Sequence, residues 1–563
     1  MRNRAFRMML ALASIAAAAV WPARSSAAEL APRTSKKLIE VGWDMPTTAY
    51  LRENWERIDQ GTPFDGLAYE VTAGEPGGSL STKRFWSPTP WQREQFEPAL
   101  ADLRACRFTT LRHNFLRVDS TPGTVDWFDE AGWGALLNKA AIVGWLVRES
   151  GSEGMMLDLE TYGADVFRYD PSSGRSFDEV CEMARRRGGQ FISAFAKECP
   201  NATVLAFWLM SMHVATCEAP DPRSALMTHR YGLQPAFING LLDALPPTMT
   251  LVDGCENAYD YDGADDYLRA YVRVRQMGGP TARLVAPENR RKYEAQVQVS
   301  YGVYLDTYVN PVGSDWYIGG HGGTRVDRLR HNLSIACQTA DEYVWVYGEQ
   351  ARWWGMPYWE WAQNAVKDTV GKGRLWEEVL PGLTNAILWA KDPTSAARRA
   401  VEERRRSGTL TNLAPNPGFE GGVNDDGIPE GYGAWQSADS KGRFSADRTT
   451  GMGGPSSYRL DNVTDGCGLL RIPVEPGRCY AVGARMRSAG KDRASVVVRW
   501  QTERQRFLLE DRDVYLPTEP IGAEWERAFG LVAAPAEAAD MIVLLQSEGE
   551  GTAWFDDVEV YAF

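Results

Sequence analysis

Histidine is scarce in this sequence. There are five in 563 residues, and none is spaced as H-E-x-x-H or H-x-x-E-H, so a metal-dependent esterase, deacetylase or protease has no ligand pattern to rest on. No C-x-x-C pair occurs among the eight cysteines, which removes zinc ribbons and thioredoxin-like centres. Positive charge is in deficit as well. With 61 Lys+Arg against 74 Asp+Glu and a net charge of −13, the chain lacks the basic footprint that neutralises a phosphate backbone, and nucleic acid is not an expected partner. Beyond residue 28 no apolar run approaches the ~20 residues of a membrane span. After the first strand-like segment stands Gly42-Trp43-Asp44-Met45-Pro46 rather than G-x-G-x-x-G, so no dinucleotide cradle is expected. The expectation is chemistry that needs no catalytic cofactor.

What the chain has in quantity is aromatic surface: 21 Trp, 22 Tyr and 19 Phe, enough to offset the entropy of ordering a large core. Arg2, Arg4 and Arg7 precede an apolar stretch from Met8 to Val20 and small residues ending in Ser26-Ala27-Ala28, the pattern of a secretory signal over 1–28 and a mature chain exported to the periplasm or medium. In an oxidising compartment Cys467 and Cys479, close in sequence, are candidates for a disulfide.

From residue 37 to 395 short strand-like runs alternate with longer amphipathic stretches. The strand candidates are 38–43, 66–71, 109–115, 154–159, 203–209, 248–253, 297–305 and 343–347, with helices predicted between them. Eight such units predict an α/β fold, a (β/α)8 TIM barrel over 29–395, whose chemistry belongs at the C-terminal strand ends. A charged, helix-prone linker follows at 396–411. Over 412–563 the periodicity becomes two, in short runs separated by turn residues, predicting a smaller all-β jelly-roll or β-sandwich domain.

The acids at the predicted strand ends carry the functional reading. In Leu157-Asp158-Leu159-Glu160 alternation places Asp158 and Glu160 on one face, where two carboxylates close together raise one another's pKa, as an acid catalyst requires. Asp253 and Glu256 follow the sixth strand, and Glu349 follows the eighth. Two carboxyl groups across a cleft are the machinery of glycoside hydrolysis. Glu160 and Glu256 are the expected acid/base and nucleophile or general base, Asp158 tunes or replaces Glu160, and Asp253 and Glu349 are reserves. Asp44, Glu70, His113, Asn114 and Asp306 are candidates for binding hydroxyls. Trp43, Tyr162, Trp208, Tyr304, Trp316 and Trp353 are candidates for stacking on sugar faces.

The opening of the tail, Asn412-Leu413-Ala414-Pro415-Asn416-Pro417-Gly418-Phe419-Glu420, and its ending, Ala553-Trp554-Phe555-Asp556-Asp557-Val558, resemble the first and last strands of bacterial carbohydrate-binding β-sandwich modules. That resemblance implies a structural Ca²⁺ held by Glu420 and Asp556. Tyr432, Trp435 and Trp500 are candidates either for stacking platforms or for core aromatics. The barrel's acids resemble those of the secreted (β/α)8 glycoside hydrolases. The D-x-E ending of strand four is similar to chitinase-like families, although the longer D-x-x-D-x-D-x-E motif is absent, Glu153 and Met156 occupying its earlier positions. Carboxyls on strands four and six are similar to the retaining α-galactosidase-like clan. The expected function is a secreted hydrolase of a polysaccharide or its oligosaccharides, acting by a retaining two-carboxylate mechanism. The alternative is a non-catalytic surface glycan-binding protein on a barrel scaffold.

Overall fold

The computed structural model describes residues 36–74, 78–275, 283–321, 323–354, 373–535 and 537–563. The expected export signal at 1–28 lies outside them. The chain divides into two compact units, Met1–Lys391 and Asp392–Phe563.

The first unit is an α/β barrel. Its parallel strands are β1 (Lys37–Gly42), β2 (Gly66–Tyr69), β3 (Phe115–Asp119), β4 (Gly154–Asp158), β5 (Thr203–Ala206), β6 (Thr250–Asp253), β7 and β8 (Tyr343–Gly348). β7 comes in two pieces, Val297–Val299 and Gly302–Tyr304; the first pairs with β6 and the second with β8. Ser300 N donates to Asp253 O at 2.8 Å and Trp345 N to Tyr301 O at 3.0 Å, so hydrogen bonding runs through the break and the sheet closes on itself.

Helices α1 (Thr48–Gly61), α2 (Arg93–Ala105), α3 (Glu130–Ser150), α4 (Phe177–Glu198), α5 (Gln234–Ala244), α6 (Ala264–Arg275), α7 (Arg325–Thr339) and α8 (Leu383–Lys391) accompany the strands. Local chemistry sets their ends. Ser176 and Glu179 form a capping box on α4, as Thr324 and Asp327 do on α7, each pair satisfying amides the helix leaves open. α3 stops at Gly151, which takes φ 72°, the left-handed turn that glycine enters without penalty. Trp86, Trp127, Trp133, Phe167 and Phe237 pack edge to face into a buried aromatic layer. Trp86 is therefore core.

The strand expected at 109–115 forms later, as Phe115–Asp119. Its β-branched start is diverted. The amides of Thr109, Thr110 and Leu111 and the Thr109 hydroxyl all donate to the Asp59 carboxylate of α1 at 2.6–2.9 Å. Those bonds hold Asp59 below its usual pKa against the effect of burial.

The second unit is two antiparallel sheets facing one core. One sheet runs β9 (Gly433–Gln436), β12 (Gly466–Pro473), β18 (Asp540–Glu548), β14 (Arg493–Gln501), β15 (Val514–Tyr515). The other runs β10 (Arg443–Asp447), β11 (Ser457–Asp461), β19 (Gly551–Ala562), β13 (Cys479–Gly490), β17 (Glu526–Ala533), β16 (Thr518–Pro520). Alternate residues such as Val496, Val498, Met541, Val543, Leu545, Phe555 and Val560 fill the space between them. The residues read as a linker fall in helix α9 (Pro393–Arg406) and the segment after it. Arg398 of α9 reaches Glu519 at 2.6 Å and Arg404 donates to Ala562 O at 3.1 Å, so this helix is braced on the second unit.

Cys467 lies on β12 and Cys479 on β13, strands of opposite sheets, and all eight cysteines are free thiols. The expected bridge is not formed, because nearness in sequence here spans the gap between two sheets.

Candidate active site

At the C-terminal end of the barrel, period-two alternation turns Arg117 and Asp119 of β3 inward beside Asp158 of β4, to which Asp119 is paired in register. Arg117 Nε donates to Asp119 at 2.7 Å and Nη2 to Asp158 at 2.7 Å, all three side chains being buried. The guanidinium lies 4.7 Å over Phe207, which stacks on Trp345 at 4.6 Å and 9°. Burial pushes Asp158 up to about 7; Arg117 opposes this, while Asp119 and Glu160 reinforce it. Lys83, presented by the turn Thr82–Arg84, is driven down to about 7 by burial and by Arg117, with Asp119, Glu70 and Asp158 opposing.

Three glutamates stand at this mouth. Glu160 follows β4, where its backbone N–H donates to Asp158 at 2.8 Å and its carboxylate accepts Tyr162 Oη at 2.6 Å. Glu256 follows β6. Its carboxyl is pushed well above the usual range by burial and then by the negative charges of Asp158 and Glu160. Gly254 keeps the chain close here, since a Cβ on it would sit 2.3 Å from Ala206 O. It is Cys255, at φ 44°, that takes the left-handed turn presenting Glu256. Glu349 follows β8, held by Tyr347 Oη at 3.0 Å and raised by burial, with Glu160 adding to the rise. Mutual repulsion ties Glu160 to both Glu256 and Glu349, so ends of β4, β6 and β8 converge on one cleft. Tyr259 stacks on Tyr304 (4.8 Å) and on Tyr347 (5.5 Å), which are themselves 5.5 Å apart, so the three rings form a triangular cluster, with Trp316 edge-on to Tyr259 and Tyr304.

The remaining expected residues divide. Tyr162 and Trp316 stand on the rim, 64% and 44% exposed. Trp43, half-buried at the top of β1, donates its N–H to Gly348 O at 3.1 Å. Glu70, buried, accepts the Ser81 hydroxyl and faces Lys83. Asp306 is buried and supports the site from behind: its carboxylate accepts the amides of Glu349 (2.9 Å) and Gln350 (3.1 Å) and is pushed up to about 8 by burial and Glu349.

Other residues are engaged by the protein itself. Asp253 points away from the cleft and accepts Leu209 N, Ser211 N and Ser211 Oγ at 2.5–3.0 Å. Asp44 is buried, accepts Trp353 N at 2.6 Å and is raised to about 6 by burial. Trp208 is buried against Tyr231 and donates to Gln234 at 3.1 Å. Trp353 packs edge-on to Phe64 at 4.8 Å. His113 and Asn114 lie at the opposite end of the barrel, because β3 begins after them. His113 meets Glu153 at 2.7 Å and Asn114 accepts Leu67 N at 3.0 Å. Arg117, Asp119, Lys83, Tyr259 and Tyr347 went unassigned in the sequence reading. For the first two a signal exists, since Phe115-Leu116-Arg117-Val118-Asp119 alternates in the manner of a strand with a charged inner face.

In the second unit Trp435 of β9 and Tyr515 of β15, 54% and 53% exposed, stand at the two edges of the same sheet on its outer face. Tyr432 and Trp500, candidates for platforms or core, are core residues. Glu420 accepts Ser456 N (3.0 Å) and Oγ (2.8 Å), while buried Asp556 accepts Met452 N (2.6 Å), Gly453 N (3.1 Å) and Asp557 N (2.7 Å). The two carboxylates thus brace one loop, 451–456. Among the described residues no group of three or more His, Cys, Asp or Glu is placed to hold a metal ion, and no helix is long and apolar enough to cross a membrane.

No family model and no curated protein matches this sequence. Among solved structures, the CBM22-1 xylan-binding domain of a Paenibacillus barcinonensis protein is similar at 11% identity over 26% of this chain and 90% of that domain, with a TM-score of 0.20. The CBM22-1–GH10 modules of a Clostridium thermocellum endo-1,4-β-D-xylanase are similar at 16% identity over 27% of this chain and 28% of that one, TM-score 0.22. An arabinose-bound GH51 α-L-arabinofuranosidase is similar at 12% identity, over 28% of this chain and 27% of that one, TM-score 0.22. The chain spans little more than a quarter of the length of either enzyme.

Proposed function

We propose that this chain is a glycoside hydrolase that cleaves a polysaccharide or its oligosaccharides at the barrel mouth. The observation that carries the reading is the convergence of Glu160 and Glu256 from β4 and β6, with the Glu256 carboxyl pushed well above its usual range by burial and the charges of Asp158 and Glu160. A carboxyl raised in this way suits a general acid for the glycosidic oxygen. Glu160 is then nucleophile or base. One of its oxygens accepts Tyr162 Oη, leaving the other to meet the anomeric carbon or a water, and Asp158 fixes its backbone. Arg117 neutralises the Asp119–Asp158 pair below.

The exposed Trp435 and Tyr515 support a carbohydrate-binding role for the second unit, since aromatic faces stack on sugar rings. Ca²⁺ at Glu420 and Asp556 stays part of the proposal. Hard carboxylate oxygens suit the ion, and with two such residues the rest of its six to eight ligands fall to backbone carbonyls and water. A chelator then lowers the melting temperature of the second unit and added Ca²⁺ restores it; a melt indifferent to both removes the ion. Export through residues 1–28 is proposed likewise, and N-terminal sequencing of secreted protein beginning near Glu29 is its check.

The test of the activity is reducing-end release from a panel of polysaccharides and aryl glycosides by the mature chain and by Glu160→Gln. Release by the parent that falls about 10²-fold or more in the variant supports the reading. Binding of a glycan without release by either protein replaces it with the non-catalytic alternative.

A further inference from the structure

Among the described residues the β8 side of the mouth is poorer in positive charge than the β2–β3 side, Arg117 reaching it only as a minor influence on Tyr347 and Glu256. Lys83 and Arg117 both lie toward β2 and β3, where Glu70, Asp119 and Asp158 surround them. Among the described residues no such cation acts on Glu349. The groups acting on it are the phenols of Tyr347 and Tyr304 and the like charge of Glu160. It is nevertheless firmly built in, because the buried Asp306 carboxylate holds both its amide and that of Gln350.

Beside it, the Tyr259 hydroxyl belongs to a side chain only 8% exposed and makes no well-formed hydrogen bond, although it approaches the Glu256 carboxyl closely enough to favour its charged form and lies within electrostatic reach of Tyr347, Glu349 and Tyr162. The triangular cluster of Tyr259, Tyr304 and Tyr347 and the half-exposed Trp316 form the wall. Carboxylates, an open phenol oxygen and π-faces together are the surroundings in which a cation is recognised.

We propose that this β8 corner is a subsite for a protonated amine, so that the glycan taken at the mouth carries a 2-amino-2-deoxy sugar whose nitrogen is free. The inference rests on the hydrolase reading for the identity of the cleft, and it adds the substrate class. Such an ammonium donates to Glu349 and to Tyr259 Oη and supplies the positive charge in which this corner of the protein is poor. An N-acetylated sugar brings a neutral amide instead. A uronate or sulfate adds negative charge beside Glu160, Glu256 and Glu349 and is disfavoured.

The experiment uses three β-1,4-linked hexasaccharides that differ only at C2: the glucosamine hexamer, the N-acetylglucosamine hexamer and cellohexaose. Each is titrated calorimetrically into the full chain carrying Glu256→Gln, which prevents turnover, and into the Glu256→Gln/Glu349→Gln chain. The expected result is at least tenfold tighter binding of the amine hexamer than of cellohexaose, a ratio that shrinks with added salt and falls toward one in the double variant. Equal affinities, a preference that survives Glu349→Gln, or no binding of the amine hexamer overturns the proposal. The first titration stands even if the double variant fails to fold. Release from neutral glycans by the unsubstituted chain with no amine preference sinks this inference and spares the hydrolase reading. Amine preference without release from any glycan does the reverse.

Discussion

Barrel and sandwich use the same acidic residues in opposite ways. At the barrel mouth burial outweighs pairing: Asp158 is pushed to about 7 and Asp306 to about 8, and Glu256 and Glu349 are raised as well. On the sandwich, acids face arginines at the surface. Arg459 meets Asp461 at 2.8 Å, Arg499 meets Asp513 at 3.0 Å and Arg485 meets Asp557 at 2.8 Å. Asp447 falls to about 2 despite partial burial, because Trp554, Thr449 and Arg459 all favour its charge. Acids perturbed by burial and like charge in a cleft are candidates for reacting groups, while acids satisfied by neighbours support a scaffold. Asp492 and Asp556 are exceptions on the sandwich, both raised by burial, Asp556 under the 451–456 loop.

The sharpest way to break the contrast is Glu256→Gln. Loss of a general acid costs about 10²–10⁴-fold in release from natural glycosides, and far less with dinitrophenyl glycosides, whose leaving group needs no proton; equal losses on both would deny Glu256 the acid role. Next in size is Arg117→Met. It leaves Asp119 and Asp158 buried without their cation, an expected destabilisation of about 3–5 kcal/mol by denaturant unfolding, whereas Arg459→Met on the exposed sandwich face shifts stability by about 1 kcal/mol or less.

The two units also differ in pH response. Asp158 and Asp306 keep protons in the folded state that the unfolded chain gives up above ~4, so their contribution is complete below that and is lost as pH rises through about 7 and 8. Lys83, lowered to about 7, works the other way only above that pH. Asp447's contribution is present above ~4 and is lost as pH falls toward about 2. Calorimetry from pH 3 to 8 is expected to lower the barrel's transition on the alkaline side and the sandwich's on the acid side; parallel shifts would erase the distinction. Smallest of all is Trp435→Ala. It weakens glycan binding while moving stability by no more than about 0.5 kcal/mol, the range for an exposed side chain. Thiol titration of the denatured, unreduced chain provides a separate check on the second unit, with eight reactive thiols expected.

Much of this was legible in the chain. Period-two runs bounded by turn residues located β4, β6 and β8, and the Asp158-x-Glu160 spacing pointed to the end of β4 because alternation is a local property of the backbone. Strand three was misplaced by six residues. Thr109 and Thr110 carry β propensity, yet Asp59, fifty residues earlier, binds their amides. Arg117 and Asp119 were lost to the reading as a result, and His113 and Asn114 were carried to the wrong end of the barrel.

Sequence alone determined the order of elements, the change from an α/β to an all-β pattern and the supply of acids at the strand ends, since each depends on hydrophobic period and turn chemistry within a few residues. Only the tertiary structure decided which acids meet at the mouth. Asp253 turns to Ser211 and Asp44 to Trp353, while Glu256 is brought against Asp158 and Glu160. Those outcomes depend on desolvation and on charges brought together from distant segments, and both are set by closure of the barrel.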